Sequence, residues 1–259
     1  MPELPDVEGF KRMLARHAVG RRIERVNVRD PGVLRGVSAR QLSSRLRNCR
    51  FAEPRRQGKW VIARTDGPAV LMHFGMTGSL RWTGRGVPAE RFERLTFVTD
   101  GGELHYDDMR KLTGISLASN DEEAGRLLGS LGPDALAVRR GEFAWLLRGR
   151  RAAVKVVLMD QHAIAGLGNL LTDEILWRAC INPRRPGGSL TTSELHRLHA
   201  RMRWVLRTSI QAGDVPARPS WLTGVRYQPA SRCPRCRTPL KQARIGGRTS
   251  LWCPRCQGD

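Results

Sequence analysis

Two cysteine pairs near the C-terminus constrain this chain more than any other feature. Cys233-x2-Cys236 and Cys253-x2-Cys256 are separated by 16 residues. Two CxxC knuckles at that spacing supply four thiolates to one tetrahedral zinc ion and fold the residues between them into a ribbon-like β-hairpin. Four thiolates fill the coordination shell and leave no position for water, so the ion is expected to be structural. A redox CxxC is the competing reading; it needs one pair, not two at ribbon spacing. The leftover Cys49 and Cys180 are expected to be ordinary buried thiols. This usage is not a disulfide framework.

The ribbon is strongly basic, with Arg232, Arg235, Arg237, Lys241, Arg244, Arg248 and Arg255. Arg248 follows Gly246-Gly247 at the predicted hairpin tip and is the one placed on a phosphate. The excess runs through the whole chain: 45 Lys+Arg against 24 Asp+Glu gives a net charge of +21. Such a charge draws polyanions, nucleic acid first. Arginine carries nearly all of it, which suits bidentate phosphate contacts; a solvated basic surface is the bland alternative. No run of 18 apolar residues suggests a membrane span, and no basic stretch followed by an apolar core suggests a signal peptide. A cytosolic protein is expected.

The predicted fold class is α+β. Residues 6–20 read as a helix, with Val7, Phe10 and Leu14 on one face. From 22 to 118 short alternating runs predict strands: Ile23/Val26/Val28, Trp60/Ile62, Val70–Phe74, Leu95–Val98 and Leu104–Tyr106. Asp100-Gly101-Gly102-Glu103 is a hairpin turn. The block reads as an antiparallel β-sandwich with a flanking helix, over 1–131. Gly132-Pro133 is a linker, and 132–230 is a helical domain. Its helices fall near 141–149, 152–159, 169–180 and 192–211. A capping box, Thr191-x-x-Glu194, opens the last of them. Residues 213–231 carry Pro216, Pro219 and Pro229 and read as a loop. The zinc ribbon occupies 231–259.

Two segments carry chemistry. If Met1 is removed, Pro2 presents a free secondary amine. An α-amino group titrates near about 7.7–8.0, so a useful fraction is neutral and nucleophilic at physiological pH. Glu3 then lies beside it in sequence. Alone, Pro2 is more simply read as a residue that permits methionine removal. The second segment is Leu158-Met159-Asp160 followed by Ala165-Gly166-Leu167-Gly168-Asn169. It predicts helix, glycine turn, then an amphipathic helix with Leu170, Leu171, Ile175 and Trp177. Glycines allow a ligand close to the backbone, and a helix N-terminus favours phosphate. Asn169 is placed to hold one; an ordinary helical hairpin is the alternative.

MPELPDVE at the N-terminus, Lys59 in a strand, HFGMTGSL at 73–80, LMDQHAIAGLGN at 158–169 and the terminal cysteine pairs occur in that order. By this ordered set the chain resembles the formamidopyrimidine-DNA glycosylase / endonuclease VIII family over its whole length. The resemblance implies a bifunctional base-excision enzyme acting on damaged double-stranded DNA as a monomer, in the bacterial cytosol or nucleoid, with one structural zinc ion. It implies that Pro2 attacks C1′ of a nucleotide turned out of the duplex, forms a Schiff base, and cuts the strand by β- and δ-elimination. It implies that Glu3 is the general acid/base and that Lys59 contacts phosphate and supports catalysis. The glycine turn becomes a helix–two-turn–helix ending at Asn169. Lys155 and Arg248 become phosphate contacts, Met76 a wedge in the gap left by the flipped base, and Arg110 a partner of the orphaned base. From the residues alone, Met76 also fits a core position and Arg110 a local ion pair.

The chain departs from that pattern in places. Leu112 stands where many relatives carry an aromatic intercalating residue. Asp108-Met109-Arg110-Lys111 replaces a more usual proline-arginine-arginine run, and Asp6 replaces a glutamate. Only 19 residues separate Gly213 from Cys233, about ten fewer than expected where 8-oxoguanine-removing members carry a loop that closes over the base. Gly224-Val225-Arg226-Tyr227 also departs from the usual motif before the first cysteine. Oxidised purines of the formamidopyrimidine/8-oxoguanine type are favoured as substrates. Oxidised pyrimidines, a specialised lesion, or lesion binding without catalysis stand as alternatives.

Overall fold

Alternating apolar residues between 22 and 118 build two four-stranded antiparallel sheets in the computed structural model, which describes residues 2–258. Strands β1 (Ile23–Val28), β2 (Arg55–Gln57), β3 (Trp60–Ala63), β4 (Ala69–His73), β5 (Ser79–Thr83), β6 (Glu93–Thr99), β7 (Gly102–Asp107) and β8 (Ile115–Ala118) pair in the orders β1-β6-β7-β5 and β2-β3-β4-β8. The predicted hairpin is present: Thr99 pairs with Gly102, leaving Asp100-Gly101 as the turn. Val26, Phe97, Leu104 and Tyr106 of one sheet share a core with Val61, Val70, Met72 and Ile115 of the other. Helix α1 (Leu4–His17) covers this core with Val7 and Leu14, and the Phe10 ring lies 4.5 Å from that of Phe74.

The block is not all strand. Helix α2 (Ala39–Leu46) interrupts it, opened by a Ser38/Gln41 capping box and anchored by only two buried side chains, Leu42 and Leu46. Helix α3 (Asp121–Leu128), capped by Asn120, packs near Leu71 and Ala118 and buries the second face of that sheet. This explains why β4 is a continuous apolar run and does not alternate. Together Pro2 and Asp6–Gly129 form one compact unit.

The second unit comprises Glu3–Pro5 and the residues from Ser130 onward. Its helices are α4 (Arg140–Leu147), α5 (Val154–Met159), α6 (Asn169–Ala179), α7 (Thr192–Ala212), α8 (Leu222–Val225) and the terminal α9 (Pro254–Gln257); β9 (Lys241–Ile245) and β10 (Arg248–Trp252) form the ribbon. The Thr191/Glu194 capping box opens α7 as read. Gly132 is not a loose linker: its N–H donates to the Gln161 carbonyl at 2.9 Å, and a Cβ there would lie 2.6 Å from the Ala163 backbone. Helix α6 is not amphipathic at a surface. It is buried on almost every side, and two of its buried residues are adjacent carboxylates, Asp173 and Glu174. Residues 213–231 are likewise more than a loop, since α8 forms there and Trp221 and Leu222 are buried. Among the described residues no helix is long and apolar enough to cross a membrane.

Candidate active site and nucleic-acid interface

The Sγ atoms of Cys233, Cys236, Cys253 and Cys256 all lie within 4.8 Å of one another. Cys233 and Cys256 are 3.9 Å apart, and Cys236 is 3.5 Å from Cys253 and from Cys256. Tetrahedral Zn–S bonds of about 2.3 Å place sulfurs about 3.8 Å apart, so the donor set fits zinc without rearrangement. The four cysteines hold one structural zinc ion. The other two thiols correct the expectation of burial. Cys49 is half-buried and Cys180 is exposed. Cys180 ends α6 in the left-handed conformation, which turns its side chain outward toward the Arg235 guanidinium at 2.9 Å.

The glycine turn is where Glu3 docks. One carboxylate oxygen accepts the Leu170 N–H at 2.8 Å; the other accepts those of Gly168 and Leu171, each at 3.1 Å. These are the free amides at the start of α6, where the helix dipole stabilises negative charge. Glycine is required at 168 because a Cβ would lie 2.3 Å from the Glu3 carboxyl carbon. Three amides thus fix a buried carboxylate that directly follows Pro2 in the chain.

Beside this turn, Asn169, Arg226, Tyr227, Gln242, Gly247, Arg248 and Thr249 line an open pocket of about 390 Å³. Arg248 is exposed at the start of β10, immediately after the Gly246-Gly247 tip. Asn169 Nδ2 donates to the Thr249 carbonyl at 3.0 Å, while its Oδ1 is buried with no partner. Tyr227, 83% exposed, stands at the rim. A pocket bearing arginine guanidinium and amide donors at a helix N-terminus suits a phosphate.

Three family models tile the chain. The formamidopyrimidine-DNA glycosylase N-terminal domain matches residues 1–115, the formamidopyrimidine-DNA glycosylase H2TH domain 131–218, and the zinc finger found in FPG and IleRS 230–258. The chain is 34% identical to the formamidopyrimidine-DNA glycosylase of Stutzerimonas stutzeri over 271 residues, spanning 99% of this chain and all of that one. It is 36% identical over 272 residues to that of Xanthomonas campestris pv. campestris strain B100, with the same coverage. Among solved structures, it matches a Lactococcus lactis FPG variant complexed with a Fapy-dG containing DNA, with a TM-score of 0.90, 29% identity and full coverage of both chains. The Lactococcus lactis Fpg complexed with an abasic site containing DNA matches equally well, with a TM-score of 0.90 and 29% identity over the full length of both chains.

The chain belongs to the formamidopyrimidine-DNA glycosylase / endonuclease VIII family. Members of this family are DNA glycosylases of base excision repair. The remaining residues that the family pattern singles out fall in places of unequal promise. Met76, Arg110 and Leu112 are brought together in the first unit. Arg110 Nη1 lies 3.0 Å from the Met76 sulfur, and among the described residues Arg110 makes no ion pair. A Cβ on Gly75 would lie 3.6 Å from that of Leu112, so the two loops adjoin. Leu112 is 52% exposed and Met76 half-buried, so neither is a core residue. Gly78 closes the Met76 loop by donating to the Phe74 carbonyl at 2.7 Å; a Cβ there would meet that oxygen at 2.5 Å. Asp108, absent from the usual run, holds the facing loop by accepting Thr77 Oγ1 at 2.6 Å and the Arg110 N–H at 3.0 Å.

Lys59 is not in a strand. Gln57 pairs with Trp60, which leaves Gly58-Lys59 as a two-residue hairpin turn. Lys155 is wholly buried, with its ammonium on Asp173 at 2.6 Å. A direct phosphate contact by Lys155 does not follow from this placement. Three participants were missed in the sequence: Asp173, Glu174 and Arg226. Burial pushes the Glu174 carboxyl up to about 7, against the pull of Arg178. No local signal marks these residues, because their importance comes from burial.

His73 opens the HFGM segment. Its Nδ1 accepts the Gly75 N–H at 3.1 Å and meets Thr113 Oγ1 at 3.0 Å. Burial, and secondarily the Lys59 ammonium, lower its pKa from 6.5 to about 4. A depressed folded-state pKa gives stability that is present above 6.5 and lost as pH falls through about 4. The wild type is therefore expected to lose about 3 kcal/mol more stability than His73→Gln on going from pH 7 to below pH 4. Parallel urea unfolding of both proteins measures this, since the carboxylates common to both cancel; equal losses exclude His73 as the cause.

Proposed function

We propose that this protein is a bifunctional DNA glycosylase and abasic-site lyase that removes oxidised bases, with formamidopyrimidine and 8-oxoguanine-type purines favoured, from double-stranded DNA. The observation that carries the reading is the seat of Glu3 on the amides of Gly168, Leu170 and Leu171. It ties the residue next to a potential amine nucleophile to the helix N-terminus that begins at Asn169. The neutral Pro2 amine attacks C1′ of the extruded nucleotide, the C1′–base bond breaks, and the base leaves. Opening of the sugar ring gives the iminium; loss of a C2′ proton then expels the 3′ phosphate, and loss of a C4′ proton expels the 5′ phosphate, which cuts the strand. The proton released from the Pro2 nitrogen passes by way of Glu3 to the sugar ring oxygen. As an anion, Glu3 also balances the adjoining iminium charge. Lys59 assists at the phosphate. Asn169 and Arg248 hold the backbone, while Met76, Arg110 and Leu112 fill the gap opposite and offset part of the cost of unstacking.

On this reading residues 1–131 carry the nucleophile and wedge, 132–230 the helix–two-turn–helix, and 231–259 the zinc ribbon. On the same reading the protein works as a monomer, and its bacterial relatives support a place in the bacterial cytosol at the nucleoid. Borohydride trapping on duplexes bearing an abasic site, 8-oxoguanine, a formamidopyrimidine or thymine glycol tests the proposal. The expected result is a covalent adduct on the abasic and oxidised-purine duplexes. An adduct mainly on thymine glycol would move the substrate class to oxidised pyrimidines. No adduct on any duplex, from protein with a free Pro2 amine, would leave a lesion binder without chemistry.

A further inference from the structure

One carbonyl of the ribbon gathers three parts of the second unit. The Thr249 oxygen accepts Arg226 Nη2 at 2.7 Å, Asn169 Nδ2 at 3.0 Å and Lys155 Nζ at 3.4 Å. Behind it, Asp173 holds Lys155 Nζ and Arg226 Nη1, each at 2.6 Å, and accepts the Leu251 N–H at 3.2 Å. The Arg226 guanidinium, with its side chain 7% exposed, therefore spans from the core of α6 to the ribbon strand. That strand begins with Arg248, the residue before Thr249.

Arg226 is itself delivered by a clamp. The Glu174 carboxylate accepts the Leu222 N–H at 2.8 Å and pairs with Arg178 at 2.7 Å. The Arg178 guanidinium lies 4.4 Å from the Trp204 ring and 4.5 Å from that of Trp221, and donates to the Ser220 carbonyl at 3.3 Å. Neighbouring carboxylates on one helix thus fix two points of the 220–226 segment: Glu174 holds the backbone of Leu222, and Asp173 the guanidinium of Arg226. A planar fork suits this double task, since it donates in two directions from one rigid group.

We infer that Arg226 is a positioning residue for phosphate recognition: by locking the Thr249 carbonyl it aims Arg248 and Asn169 at the DNA backbone, without neutralising a phosphate itself. The inference rests on the reading of Arg248 and Asn169 as phosphate contacts. A double-mutant cycle of Arg226→Met and Arg248→Ala tests it, reading affinity for a duplex with a tetrahydrofuran abasic site across a salt series. Zinc content and thermal midpoint of each variant establish that the ribbon is folded.

Arg248→Ala is expected to weaken binding and to reduce the slope of log K against log[salt] by about one. Arg226→Met is expected to weaken wild-type binding by roughly tenfold. In the Arg248→Ala background it should weaken binding by clearly less than in the wild type, because only the Asn169 contact is left to misplace, with no further change of slope. Arg226→Lys keeps the charge but not the fork, and should behave like Met. Additive losses with a second drop in slope, full rescue by Lys, or unchanged binding by Arg226→Met would each overturn the inference. If Arg248→Ala alone binds as tightly as wild type, the phosphate reading of the pocket fails first, and the inference with it.

Discussion

Replacing Cys253 by serine is expected to release the zinc and to lower affinity for a damaged duplex by at least about a hundredfold. The reason lies in the size of the ribbon core. Its buried residues are Trp177, Leu222, Cys233, Leu251 and Cys253, and two of these five are metal ligands. A structural zinc contributes roughly 10–16 kcal/mol of apparent binding energy in small modules, as much as the whole stability of a typical domain. Without it the β9–β10 hairpin loses its closure, Arg248 loses its placement, and Asn169 loses the Thr249 carbonyl. The helices and the β-sandwich have their own cores and should persist. Metal release followed with a chromogenic chelator, fluorescence anisotropy with labelled duplex, and far-ultraviolet circular dichroism separate these effects. A metal-free variant that binds DNA within a factor of two of wild type would show that the ribbon is dispensable.

The second large effect belongs to Pro2. Pro2→Gly substitutes a flexible primary amine for a ring amine. Borohydride-trapped adduct and strand cleavage are expected to fall by about a hundredfold, with duplex affinity changed less than about twofold. The split is the informative part, because a folding defect would lower both. Glu3 and the amides that hold it are untouched by the change. Methionine processing controls the same step: a retained Met1 would convert the Pro2 nitrogen to an amide with no nucleophilic lone pair. Met1 lies outside the described residues, so intact mass of the N-terminus belongs beside the assay. Unchanged trapping by Pro2→Gly would exclude Pro2 as the unique nucleophile.

Much of this architecture is legible in the sequence because the relevant signals are local. The cysteine spacing specifies the metal site, the Thr191-x-x-Glu194 pattern specifies the start of α7, and short apolar runs mark five of the eight sandwich strands. The glycine turn before Asn169 is equally visible, since Gly168 must lack a Cβ to admit Glu3. Other features are hidden for physical reasons. Helix α2 buries only Leu42 and Leu46, too few to create a periodic stripe among its polar residues. Strand β4 is covered on both faces, so it does not alternate. Lys155 and Asp173 look like surface charges, and only the fold reveals that they neutralise each other in the interior. Arg226 reads as one more arginine in a chain full of them. Its role depends on an acceptor 23 residues away in the ribbon.

The anchoring of Glu3 has a consequence for the order of synthesis. Glu3 leaves the ribosome well before its partners at 168–171, which follow 165 to 168 residues later. At translation speeds of about 5–20 residues per second, that separation is roughly 8–35 s. During this interval the Glu3 carboxylate lacks the amides that fix it. A chain that stops before residue 168 therefore leaves the Glu3 carboxylate without its amides. On the proposed reading, an ordered Glu3 beside Pro2 requires the chain through residue 171, a dependence set by connectivity alone.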